Sequence, residues 1–359
     1  MFIFLFFGIV VVGGIYYITM QLENRDEENN INNEPVQLEG EELNIYNFND
    51  ELMFSLDEFS SRYDLTWEYD SFEGIIKIYD SNHTYFLLKE TPVIAVDGVY
   101  KPVVAIPYIK NNQVYLDLDI LNKVFNYRYE PIKGQEVIEV FENGNLTDVG
   151  NSYYQNFENQ FSNMTEQEMF SYLSFLSVPL RDAHLTSRDS QLPGAPRDYR
   201  NGYHEGIDWY EGTIGINISK NTPVISMANG VVVRADHDYI ELNYEERDEI
   251  LNISINSDHT PQYILDKLRG RSVWIQSNNG VMIRYAHLSR IESNIKLGDI
   301  VQGGQIIGYV GNSGTSYGIE GNDGGLHLHT DILIYNNLFW EHYNASQIRF
   351  ILEALFSAK

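Results

Sequence analysis

Apolar side chains along this chain fall into three successive regimes. Phe2 to Met20 is almost wholly apolar, and no charged side chain precedes Glu23; that is roughly the twenty residues a helix needs to cross a bilayer. From about 43 to 145, helical spacings alternate with period-two runs. From about 200 onward the period-two pattern dominates, broken by Asn-Gly and Gly-rich turns. The pattern predicts a transmembrane anchor over 1–20, a small α+β domain over 43–145, and a mainly β domain over 201–359.

The middle regime repeats itself at an offset of 62. Leu56, Phe59, Tyr63, Leu65, Trp67, Ile76 and Ile78 correspond to Leu118, Leu121, Phe125, Tyr127, Tyr129, Ile138 and Val140. Each copy predicts a short helix followed by a β-hairpin, and two copies can share one core. Residues 146–200 read as a connector, helical over 166–176, where Met169, Tyr172, Leu173 and Leu176 fall on one face. In the last regime, 223–233 predicts two strands around Asn229-Gly230, and 272–285 a hairpin across Asn279-Gly280. A partly helical excursion fills 241–271, and 305–310 and 327–334 add strands.

Charge narrows the picture. The chain has 24 basic against 51 acidic residues, a net charge of −27, which argues against nucleic acid because phosphate binding needs a cationic surface. Residues 21–42 read as a solvated acidic linker, placed outside the membrane. Without a basic n-region or a small-residue cleavage site, the apolar start reads as an uncleaved anchor rather than a signal peptide. There is no cysteine, so any metal must rest on His, Asp or Glu.

Five residues offer such chemistry: His204 and Asp208 around Gly206, His287 after an apolar strand, and the pair His327 and His329. Strand alternation puts His327 and His329 on one face and Leu328 on the other, while Gly206 favours a bent strand or loop over a helix. A catalytic zinc takes three protein ligands and keeps one position open, so further imidazoles are free for proton transfer. Each motif alone is as easily a surface or core histidine; their ordered occurrence in one β-rich stretch points to a metal. Glu205 is expected at the rim or in a structural role, 311–325 as a cleft loop, and His83, His184, His237, His259 and His342 as surface or structural residues.

Two resemblances add to this. The run Gln113-Val114-Tyr115-Leu116-Asp117-Leu118-Asp119-Ile120-Leu121, ahead of Phe125-Asn126-Tyr127, resembles the stalk-like domain named after the N-terminal domain of copper amine oxidases. It implies no copper chemistry. Residues from about 200 to 340 resemble the lysostaphin/LytM-type zinc metallopeptidases, which cleave peptide bonds in bacterial peptidoglycan. The matching stretches are His204-Glu205-Gly206-Ile207-Asp208, Thr222-Pro223-Val224, Tyr285-Ala286-His287-Leu288, Gly303-Gly304-Gln305-Ile306-Ile307-Gly308, Gly311-Asn312-Ser313-Gly314-Thr315-Ser316 and His327-Leu328-His329.

That resemblance implies an antiparallel β fold of the duplicated hybrid motif type, with a narrow cleft. It also implies that His204, Asp208 and His329 bind Zn2+ and that His287 and His327 are catalytic. Two departures, the long excursion at 236–271 and the seven residues 319–325, are expected to reshape the groove walls. The sequence thus predicts a single-pass, membrane-anchored zinc endopeptidase acting on peptidoglycan peptides on the extracytoplasmic side, with the stalk-like domain spacing it or binding the wall. The rival reading is a non-catalytic scaffold of the same fold. A third makes activity wait on a regulatory protein partner that opens an occluded cleft.

Overall fold

The computed structural model describes residues 40–143 and 161–356. The anchor expected at 1–20 lies outside them, as does all but the end of the acidic linker, whose last two residues open the first strand, Glu41–Phe48. Among the described residues no helix is long and apolar enough to cross a membrane.

The offset of 62 is visible as structure. Helix α1 (Leu56–Arg62) leads into the hairpin Thr66–Asp70 and Ile75–Tyr79, and helix α2 (Asp119–Lys123) into Tyr127–Pro131 and Val137–Glu142. The Ser55 side chain accepts the Glu58 N–H at the start of α1, satisfying one orphan donor of the first turn. The repeated apolar positions face one another: Leu56, Phe59, Ile76 and Ile78 share a buried core with Leu118, Leu121, Phe125, Ile138 and Val140. The copies nevertheless diverge. The second hairpin joins a six-stranded sheet with Glu41–Phe48, Glu51–Ser55, Gln113–Asp117 and Tyr108–Lys110. The first opens a five-stranded meander that continues through Thr84–Leu88, Ile94–Val96 and Val99–Lys101.

The C-terminal part is built on an antiparallel sheet. Its order is Ile207–Tyr210, His327–Ile334, Val281–Ala286, Val273–Ser277, Gly230–Ala235 and Ile300–Val301, with Asn337–Leu338 also paired to His327–Ile334. The hairpin across Asn279-Gly280 forms as expected: both residues take positive φ (55° and 67°), and the Val281 amide donates to Asn278 O at 3.1 Å, a two-residue turn that matches strand twist. The strands flanking Asn229-Gly230 do not pair with each other. Pro223–Ile225 pairs with Ile306–Tyr309 in a separate three-stranded sheet, while Gly230–Ala235 joins the large one.

Helix α3 (Glu166–Leu173) carries a complete capping box between Thr165 and Glu168. The residues expected as a connector do more than connect. Phe161, Met169, Leu173, Leu176, Leu180, Leu185 and Leu192 are buried in the same core as Ile207, Trp209 and Leu328. The excursion holds α4 (Tyr244–Ile255) and α5 (Gln262–Arg269), and the cleft loop holds the one-turn α6 (Ser316–Ile319). A last helix, α7 (Ala345–Phe356), buries Ile348, Ile351, Leu352, Leu355 and Phe356 and packs beside α3.

Strand alternation gives the large sheet two different faces. Leu328, Ile332 and Ile334, with Val281, Ile283 and Tyr285, point into the core shared with α3 and α7. The opposite face carries His327, His329, Asp331 and Leu333 on one strand and Met282 and Arg284 on its neighbour. Part of this face is covered: Trp274, Met282 and Leu333 pack against Val93, Ala95 and Tyr100 of the meander. The Tyr100 amide donates to Gln276 Oε1 (2.9 Å), and its hydroxyl to Asn336 Oδ1 (2.5 Å). The N-terminal module therefore sits on the face that bears the histidines.

Candidate metal centre and cleft

Asp208 lies directly opposite His329 in the pairing of Ile207–Tyr210 with His327–Ile334. The close approach that permits this depends on Gly206, where a Cβ would fall 2.1 Å from Thr330 O. Three inward atoms converge. His204 Nε2 and Asp208 Oδ1 are 3.0 Å apart, His329 Nδ1 and Asp208 Oδ1 2.9 Å, and the two ring nitrogens 3.1 Å. These are the His–Asp–His residues able to hold one metal ion. A tetrahedral ion with arms of roughly 2.0–2.1 Å spaces its ligand atoms about 3.3 Å apart, so small outward shifts would suffice.

The outer partners fix the chemistry of the inward atoms. His204 Nδ1 lies 3.0 Å from Leu192 O, an acceptor only, so Nδ1 carries the proton. His329 Nε2 lies 2.6 Å from Asp331 Oδ1. Burial opposes the charge on Asp331, but Arg269 and His329 hold it well below the usual carboxylate range, so it too accepts. Both inward nitrogens are thus lone-pair sites aimed at a carboxylate, a buried arrangement that demands a positive charge. Without a metal the demand falls on a proton: burial lowers the His329 pKa, yet Asp331 and Asp208 outweigh it and lift it to about 9. Burial likewise opposes the charge of Asp208, and His204 and His329 keep it ionised. Its second oxygen accepts from Arg197 Nη2 at 3.2 Å.

His287 and His327 stand beside this triad. Their Nδ1 atoms lie 2.7 Å from Ser313 O and 2.8 Å from Gly325 O, so each donates there and keeps Nε2 as a free acceptor. His327 Nε2 is 3.7 Å from Asp208 Oδ1, and the two rings are 4.7 Å apart. Burial lowers the pKa of both, reinforced at His287 by His327 and His329, so both are neutral near pH 7. His287 holds a left-handed backbone (φ 59°), a strained conformation for a non-glycine residue that aims the ring. Tyr210 stacks on His327 with centroids 4.2 Å apart.

The five residues named from sequence thus meet in one cleft of about 480 Å³, walled also by Arg197 and Tyr199, by Arg247, Leu265 and Leu268 of the excursion, and by Tyr317 of the cleft loop. Glu205 also lines the cleft and pairs there with buried Arg200 at 2.9 Å. The other histidines stay apart from the cleft: His83 pairs with Asp97, His184 and His237 bond backbone carbonyls, His259 pairs with Glu73, and His342 packs on Phe161. Sequence reasoning missed Asp331 and Arg269. Asp331 was findable, since it follows His329 by two residues and so shares its face; Arg269 gave no local signal.

Residues 202–339 match peptidase family M23, which bears out the resemblance drawn for that part of the chain. No curated protein matches the sequence. Several solved structures are similar to it, among them the following three. The catalytic domain of lysostaphin from Staphylococcus simulans is 21% identical, over 47% of this chain and 92% of that one, with a TM-score of 0.27. A catalytic-domain variant of the prophage-encoded M23 protein EnpA from Enterococcus faecalis is 22% identical over 48% and 95%, with 0.28. A chain of the SpoIIQ–SpoIIIAH pore-forming complex is 18% identical over 45% and 85%, with 0.27.

Proposed function

We propose that this protein is a zinc-dependent endopeptidase that hydrolyses peptide bonds in bacterial peptidoglycan. The observation that carries the reading is the convergence of His204 Nε2, Asp208 Oδ1 and His329 Nδ1, with both imidazoles locked by outer acceptors into the tautomer a metal requires. The two further imidazoles beside them are what a hydrolase needs and a purely structural site does not. The M23 match over 202–339 supports the substrate class.

When bound, zinc brings the pKa of a water towards about 7 and polarises the scissile carbonyl. The chain's own groups then handle the protons. His287 and His327 present unprotonated Nε2 atoms to the cleft, so one takes the proton of the attacking water as its oxygen bonds the carbonyl carbon. As the C–N bond breaks, the imidazolium returns a proton to the leaving amine. The second imidazole, also unprotonated at Nε2, accepts a hydrogen bond from the attacking water and orients it. Tyr210, stacked on His327, keeps that ring in plane, and the Gly325 and Ser313 carbonyls keep both tautomers.

The apolar start of the sequence supports a single-pass anchor, with the folded parts on the cell-wall side, where the substrate lies. A regulatory protein partner remains part of this reading only if the purified protein is inactive by itself. The test is to incubate the purified protein with peptidoglycan, with and without a chelator, and to follow new amino groups. Chelator-sensitive release is the expected result; no release from a zinc-loaded protein would favour the scaffold reading.

A further inference from the structure

We propose that Arg269 is a positioning residue for the metal centre, acting on His329 through Asp331, and that the N-terminal module clamps the helix that carries it. The inference rests on the zinc reading above and adds a structural role for a module expected only to space the C-terminal domain or bind the wall.

The chain of contacts is short and buried. His329 Nε2 donates to Asp331 Oδ1 at 2.6 Å, and Arg269 Nε donates to Asp331 Oδ2 at 2.9 Å. Asp331 has no exposed surface, and with one oxygen on each partner its carboxylate cannot rotate without breaking a charge-assisted bond. Arg284 Nη1 stands farther from the same oxygen, at 3.7 Å, so the orientation of the His329 ring, and with it the aim of Nδ1, follows chiefly from where Arg269 stands. The same residue reaches the second part of the site, since its carbonyl accepts the His287 amide at 2.9 Å.

Arg269 ends α5, an eight-residue helix with no side-chain cap of its own, because Pro261 occupies the cap position. The module supplies what is missing. Glu73 Oε2 accepts the Gln262 amide at 2.9 Å, and Glu73 O accepts the Tyr263 amide at 3.3 Å, so two orphan donors of the first turn are satisfied from some 190 residues away. Thr91 Oγ1 donates to Asp266 Oδ2 at 3.1 Å, Glu90 pairs with Lys267 at 2.7 Å, and Lys89 lies over the Tyr263 ring. One end of α5 is therefore held by the module and the other holds the metal site. A short helix has little stability of its own, so its position depends on these contacts.

The test uses the full chain and reads zinc affinity by chelator competition, the visible spectrum of the cobalt-substituted protein, and thermal unfolding. Arg269→Gln should weaken zinc up to about 10-fold, the low end of the effect of losing a direct outer partner of a ligand, and shift the cobalt band. Arg269→Lys, which keeps the cation, should recover most of that loss. The double variant Glu73→Gln/Thr91→Val, remote from every ligand, should weaken zinc in the same direction by a smaller factor. Zinc affinity and cobalt spectrum unchanged in a folded Arg269→Gln would overturn the proposal. If that variant does not fold, the double variant decides, and wild-type zinc binding in it removes the clamp. Tight zinc without hydrolysis in the wild type would sink the endopeptidase reading while leaving this relay intact.

Discussion

Two aspartates lie on the same face of one sheet, both buried, and they are handled in opposite ways. Asp331 meets a fixed cation, Arg269, and the proton of His329. Asp208 turns one oxygen to Arg197 and the other to the inward nitrogens of two imidazoles whose outer nitrogens are bonded elsewhere. Nearby, the large sheet and the excursion assemble further internal pairs, such as Arg234 with Asp236 and Asp266. Around Asp208 the protein leaves an opening. A buried charge answered by its neighbours is architecture; one left half-answered invites an ion from outside.

The sharpest way to break this comparison is His329→Ala, which should abolish both bound zinc and peptidoglycan hydrolysis; stoichiometric zinc in the purified variant would remove His329 from the ligand set. His327→Ala should keep zinc while turnover falls about 10²–10⁴-fold, the usual worth of a proton-transferring side chain; near-normal rates would leave it without that role. At the closed end, Arg234→Met strands Asp266 without its 2.6 Å partner and should cost about 3–5 kcal/mol in denaturant unfolding.

Acid sharpens the same point more gently. Burial works against the charge on Asp266, but Arg234 holds its pKa below the ordinary carboxylate value. Its contribution is present above the unfolded value of about 3.9 and is lost as pH falls through the lower folded one. The stability gap between wild type and Asp266→Asn should therefore narrow in melts taken progressively below pH 4. Smallest, and outside both ends, Thr165→Ala removes the α3 capping box and should cost about 1 kcal/mol with zinc binding untouched.

Much of the site was legible because it is periodic. His327 and His329 share a face by strand alternation alone, and Asp331 obeys the same rule. The offset of 62 likewise told which apolar positions meet, since equivalent residues of two similar units face one another. What periodicity cannot give is the partner. The spacing of Met169, Leu173 and Leu176 marks an apolar face but does not say that the face belongs to the core beneath the large C-terminal sheet. The strands beside Asn229-Gly230 have strand pattern and a turn signal, yet each pairs with a distant segment. The docking of Tyr100 on Trp274, and the grip of Glu73 on α5, join residues nearly 200 apart and leave no local trace.

The covering of Trp274, Met282 and Leu333 by the meander bears on how this protein can be handled. A fragment cut at residue 202, where the family match begins, would carry a raw hydrophobic scar beside the histidine cleft, and would also lack the leucines of 161–192 that complete its interior. Size-exclusion chromatography should find such a fragment clumping, whereas a cut just before residue 41 should travel as a well-behaved particle. The smallest natural unit of this protein is therefore larger than the family match over 202–339 suggests.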